Sequence, residues 1–174
     1  MKFKVNNKEV FASTGGCSFD KKKPVIIFVH GSGLSHVTWV LQTRYFAFHG
    51  YSVLAIDLPG HGYSEGPSLK SMEEMGDWIS DVIDASDLKE VSLVGHSQGC
   101  LVAIETASRY PDKVKSLSLM GGGGGGRGGK EGGKDKMRRR ERGKEGGKRR
   151  GGGAFFLPAA DIDRIPTLLN AVCD

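Results

Sequence analysis

Cysteine is scarce: the 174-residue chain carries three, Cys17, Cys100 and Cys173. An odd number at wide spacing, with no Cys-x-x-Cys pair and no neighbouring histidine cluster, excludes a disulfide framework and a zinc site, and no metal or cofactor is expected. Long apolar runs are missing too. No stretch approaches the roughly 18 apolar residues of a membrane span. The opening Met1-Lys2-Phe3-Lys4 alternates polar with apolar residues and lacks the apolar core of a signal peptide. A protein of the reducing cytoplasm with no membrane partner is the expectation. Histidine is missing beyond residue 96: His30, His36, His49, His61 and His96 all precede Ser97.

Aromatic and β-branched residues are absent from residues 121–153, which contain only Gly, Arg, Lys, Glu, one Asp and one Met. Such a tract buries too little apolar surface to offset its ordering entropy, so disorder is expected there. It holds 12 Lys and Arg against 4 Asp and Glu, and the rest of the chain holds 13 against 16. The net charge of +5 therefore belongs to the tract and not to the fold. Arg138-Arg139-Arg140 lacks aromatic neighbours on which bases could stack, which favours a solvated spacer over a nucleic-acid surface. Gly, Arg, Lys and Glu all have all-purine codons, which points to a purine-rich stretch in the coding DNA. Three segments follow: a core over 1–120, the tract over 121–153, and a C-terminal remnant over 154–174.

Within the core, Phe3, Val5, Val10 and Phe11 flank Asn6-Asn7, the pattern of a hairpin. Pro24 to Val29 is apolar throughout and β-branched, as expected of a strand covered on both faces in a parallel sheet. Ser52 to Ile56 and Val91 to Val94 read the same way, and Val114 to Leu119 less strongly. Helices are expected over Val37 to His49 and from Ser71-Met72-Glu73-Glu74 onward, where a capping-box spelling precedes Met75, Ile79, Val82 and Ile83. A third, Gln98 to Tyr110, is apolar enough to be buried nearly all round. This alternation predicts an α/β fold with a doubly wound, mainly parallel sheet that binds ligands beyond the carboxyl ends of its strands. In the remnant, Ile165 to Leu169 is the expected strand.

The chemistry concentrates at Gly95-His96-Ser97-Gln98-Gly99, which follows an apolar strand and opens a helix. Serine is a weak nucleophile, and a sharp strand-to-helix turn lifts its hydroxyl to where a base can reach it. Small flanking residues permit that turn, and the helix N-terminus aims N–H groups at a developing oxyanion. Upstream, His30-Gly31-Ser32-Gly33 ends the first long strand in a glycine-rich loop that can aim another. Ser97 is thus the candidate nucleophile, with the backbone amides of Ser32 and Gln98 as the candidate oxyanion hole. The competing reading makes Gly31 and Gly33 plain turn residues.

Strand, His-Gly-Ser-Gly, Trp39, Asp57-Leu58-Pro59-Gly60-His61-Gly62-Tyr63-Ser64 and the serine turn together resemble the α/β-hydrolase superfamily, from about Pro24 to Leu119. The likeness is to its esterase, lipase and lactonase-like branch. It implies a cofactor-free hydrolase of a small ester or related acyl compound, working through an acyl-enzyme. Members that cleave epoxides or carbon–halogen bonds carry an aspartate at the turn, where this chain has Ser97. The resemblance also implies a chain order of Ser, then Asp or Glu, then His. Asp174, after the Ile165 to Leu169 segment, is the nearest match to the acid. No histidine matches the base: by the same resemblance His30 and His61 belong to structural loops, His96 points away from the serine, and Asp57 braces a loop.

Two expectations follow. The chain is the nucleophile-bearing N-terminal part of a hydrolase and is incomplete, or it is an inactive remnant or small-molecule-binding module without the catalytic histidine. The strand at Val114 to Leu119 would then be an exposed edge prone to self-association unless 165–169 pairs with it. Trp39, Trp78, Met72 and Met75 read as packing residues.

Overall fold

A computed structural model describes residues 1–121 and the backbone of 154–158. The expected disorder of the tract beyond Gly121, the strand over 165–169 and Asp174 all lie outside the described residues.

The alternation around Asn6-Asn7 produces a two-residue hairpin, β1 (Lys2–Val5) paired antiparallel with β2 (Lys8–Ser13). Asn6 and Asn7 both take left-handed φ, 48° and 61°, the turn geometry whose twist matches that of the strands. The apolar runs become β3 (Val25–Val29), β4 (Ser52–Ile56), β5 (Val91–His96) and β6 (Val114–Met120). With β7 (Ala154–Pro158) they form one sheet in the order β1-β2-β4-β3-β5-β6-β7. The central four strands are parallel, and the flanking pairings are antiparallel.

Helix α1 (Val40–Phe48) follows a 3-10 turn over His36–Trp39, while α2 (Met72–Ala85) and α3 (Gln98–Arg109) complete the layers. Ser71 caps α2 by accepting from the Glu74 amide at 3.1 Å. The Glu74 carboxylate reaches back to the Lys70 amide, 2.8 Å, one residue beyond the reciprocal position of the capping box. One face of the sheet packs on α2 and α3, where Ile27, Leu54, Ile79, Ile83, Leu93 and Leu117 are fully buried. Each such side chain contributes roughly 1.5–3 kcal/mol by leaving water. The other face packs on α1 through Phe28, Trp39, Ala47, Val53 and Ala55.

Two expectations are corrected, and α1 packs in its own way. β3 and β4 are buried at every position, but β5 alternates: Val91, Leu93 and Gly95 are buried, whereas Ser92, Val94 and His96 are half-buried on the α1 side. Helix α1 packs chiefly on β4, so one face of β5 is covered and the other only partly. Helix α1 turns much of its apolar surface outward. Trp39, Thr43 and Ala47 face the sheet, Thr43 satisfying its hydroxyl on the Trp39 carbonyl at 2.8 Å. Leu41 and Phe48 are 78% and 67% exposed. Finally, β6 is not an edge, because Met120 to Ser116 pair antiparallel with Ala154 to Pro158. Among the described residues the strand that pairs with β6 is 154–158, and the expected strand over 165–169 lies outside them.

Register places the site. Val29 pairs with Ile56 on one side and Gly95 on the other, which sets the carboxyl ends of three neighbouring strands level. His30, Asp57 and Ser97 consequently emerge at one edge of the sheet.

Candidate active site

Ser97 sits between β5 and α3 with φ 53° and ψ −119°, a backbone conformation that a residue with a Cβ adopts only under strain. The turn is this sharp because strand and helix nearly touch. A Cβ on Gly95 would overlap the Gly99 carbonyl, and one on Gly99 would overlap the Val29 carbonyl. The Ser97 amide donates to Met120 O at 3.1 Å, and its carbonyl accepts from Cys100 N at 2.9 Å. Both main-chain groups are thereby fixed while the residue itself is exposed. Among the described residues the Ser97 hydroxyl makes no hydrogen bond.

The Gly31 loop lies directly against the serine: a Cβ on Gly31 would stand 3.0 Å from Ser97 Cβ and 3.1 Å from His96 O. Ser32, the next residue, is exposed. Gln98 opens α3, so its N–H belongs to the first turn, where no intrahelical acceptor exists and the helix dipole favours negative charge. The structure thus brings the Ser32 loop, Ser97 and the α3 N-terminus together. Next to Ser32 in the chain, Gly33 to Ser35 with Val37, Thr38 and Gly62 line an open surface depression that does not include Ser97 or Gln98.

All five histidines lie among the described residues, and each has a place. His30 is fully buried. Leu58 N–H donates to its Nε2 at 3.1 Å, so Nδ1 carries the hydrogen and donates to Gly31 O at 2.8 Å. Burial pushes its pKa below the ordinary imidazole value, with the bond to Gly31 opposing. His36 binds Asp57 through its ring, His49 contacts Tyr45 O at the end of α1, and His61 contacts Pro59 O. His96 turns its ring toward Trp39, centroids 6.2 Å apart and nearly perpendicular. Among the described residues neither His96 Nδ1 nor Trp39 Nε1 has a hydrogen-bond partner. None of the five bonds to the Ser97 hydroxyl.

Asp57 has no exposed surface. Its carboxylate accepts from His36 N (2.7 Å), His36 Nδ1 (2.9 Å) and Tyr63 N (2.9 Å), which clamps the loop after β4 to the loop after β3. The bracing position expected of Asp57 is what its bonds describe. Its pairing with His36 escaped the sequence reading, because 21 residues separate the partners and nothing in either local pattern links them. Cys100, buried with its thiol on the Gly95 and Met120 carbonyls, has its pKa raised by burial and is held as a small packing residue.

A family model described as the alpha/beta hydrolase fold matches residues 24–139. The chain belongs to the α/β-hydrolase family. It is 33% identical over 98 residues to (E)-2-((N-methylformamido)methylene)succinate hydrolase of Acinetobacter baylyi, covering 56% of this chain and 37% of that protein. Its fold superposes on that of a membrane phospholipase A, a bacterial virulence factor, with TM-score 0.63 and 27% identity over 68% of this chain and 38% of the other. It also superposes on Est816, an N-acyl homoserine lactone degrading enzyme, with TM-score 0.58 and 25% identity over 69% and 44%. The chain spans about a quarter to two fifths of the length of the curated relatives it matches. Among the described residues no helix is long and apolar enough to cross a membrane.

Proposed function

We propose that the chain carries the nucleophile and oxyanion donors of a serine hydrolase acting on a small carboxylic ester or related acyl compound. The observation that carries this reading is the strained Ser97 at a strand-to-helix turn, set against Gly31 and heading the α3 N-terminus. The Ser97 oxygen attacks the acyl carbon, the carbonyl oxygen gains negative charge facing the Ser32 and Gln98 amides, and as the carbonyl re-forms the carbon–oxygen bond to the alcohol breaks, the departing oxygen taking up the proton that the serine hydroxyl gives up. Water then cleaves the acyl-serine ester, returning the hydroxyl and releasing the acid. The similar proteins include a phospholipase and a lactone-degrading enzyme alongside epoxide hydrolases and a haloalkane dehalogenase, so the likeness supports hydrolysis, and the acyl reading rests on Ser97. A fluorophosphonate probe tests the proposal: labelling of the purified chain that vanishes in Ser97→Ala supports a competent nucleophile, and absence of labelling in the unaltered chain refutes it.

A second reading, an inactive remnant or small-molecule-binding module, is favoured by one observation: general-base catalysis needs an imidazole at the serine, and the five histidines bond elsewhere or face Trp39. Sustained turnover of p-nitrophenyl acetate, abolished by Ser97→Ala, would rule it out.

A further inference from the structure

Resting on the nucleophile reading above, we infer that His36 is a positioning residue that holds the Ser32 amide in place for the oxyanion. The loop it serves has little to hold it. Ser32, Gly33 and Leu34 are exposed, and the internal support among the described residues is one turn bond, Leu34 N to Gly31 O at 3.2 Å. Orientation of the Ser32 N–H therefore depends on how the two ends of the loop are fastened.

The near end is fastened by His30, whose ring spans from Leu58 N to Gly31 O. The far end is fastened by His36, which places both its amide and its ring N–H on the Asp57 carboxylate. Asp57 is itself tied to the sheet: it directly follows β4, its amide donates to Phe11 O at 3.0 Å, and its carboxylate also holds Tyr63 N. Phe11 and Tyr63 flank the His36 ring at centroid distances of 4.7 and 5.7 Å, which sets its plane. Bonds to a buried carboxylate are charge-assisted and stronger than neutral ones, so this fastening is stiff. Without the ring donor, the far end keeps one bond, from the His36 amide. Displacements near 1 Å at a reacting centre cost up to about 100-fold in rate, and a loop loosened at one end is expected to lose about tenfold.

Three substitutions in the whole chain separate the hydrogen bond from packing. His36→Asn keeps a side-chain N–H donor without the ring, His36→Phe keeps the ring without the donor, and His36→Ala removes both. Two readouts are taken: the second-order rate of fluorophosphonate modification at Ser97, and hydrogen–deuterium exchange across residues 31–36. Ala and Phe should each lower the labelling rate about tenfold and speed exchange at Leu34, while Asn stays within about threefold of the unaltered chain. Recovery by Phe and not by Asn would reduce His36 to a packing role and overturn the inference. Unchanged labelling and exchange in all variants would overturn it as well. If the unaltered chain is not labelled, the nucleophile reading fails, and that outcome is distinct from normal labelling that His36 does not influence. Should His36→Ala not fold, the Asn and Phe pair decides.

Discussion

The first turn of α3 runs against the end of β3 so closely that a Cβ on Gly99 would overlap the carbonyl oxygen of Val29. The contact is with main chain, which cannot rotate out of the way as a flexible side chain would. Gly99→Ala should therefore cost about 2 kcal/mol or more, in the upper part of the range for overpacked cores. Urea denaturation measures that loss. Because α3 must shift to make room, Ser97 labelling should fall with it, and a variant of undiminished stability would show that the approach is looser than described.

Strain at Ser97 leads to the opposite result. Residues in sparsely populated backbone regions cost on the order of 1–3 kcal/mol, and glycine relieves most of this while adding flexibility to the unfolded chain. Ser97→Gly should stabilise the fold by about 1 kcal/mol net, a melting-point gain of about 3 °C for a domain of this size. The same change removes the hydroxyl and with it all probe labelling. Calorimetry beside the labelling assay checks both, and a lower melting point would contradict the strain.

His30 makes stability depend on pH in a defined direction. Burial holds its folded pKa below the ordinary value of 6.5. Above pH 6.5 the ring is neutral in both states and contributes no pH dependence. Below it the unfolded chain takes up a proton that the folded protein does not, so stability falls until the folded pKa is reached, by at most about 1.4 kcal/mol per pH unit. His30→Gln should show a shallower decline than the unaltered chain when melting is followed from pH 8 to pH 5. Parallel declines would mean that His30 is protonated equally in both states.

Strand β7 supplies the partner for β6 that would otherwise be missing. Removing residues 154–174 should leave the β6 main-chain donors and acceptors unpaired, an edge that recruits other chains. Light scattering should then report self-association of the shortened protein at concentrations where the 174-residue chain scatters less. A monodisperse monomer would show that β6 tolerates exposure.

Ser97 and its flanking glycines were legible because the chemistry of the turn is local: five consecutive residues carry the small-residue requirement, the hydroxyl and the helix start. The hairpin at Asn6-Asn7 and the cap at Ser71 were legible for the same reason. The outward apolar face of α1 was not, since periodicity identifies a helix but not which neighbours will cover it. β5 was misread in the same way: an apolar run records what a strand can bury, and the helix layer determines how much it does bury.

By itself the sequence determined the α/β class, the position of the nucleophile candidate, the glycine-rich loop after the first long strand, and the lack of any histidine after Ser97. Only the tertiary structure decided that Gly31 stands against Ser97, that β7 covers β6, and that His36 and Asp57 meet across 21 residues. The physical reason is register. Parallel pairing sets the ends of β3, β4 and β5 level, and side chains that share no local pattern converge there because backbone hydrogen bonds far from the site align their strands.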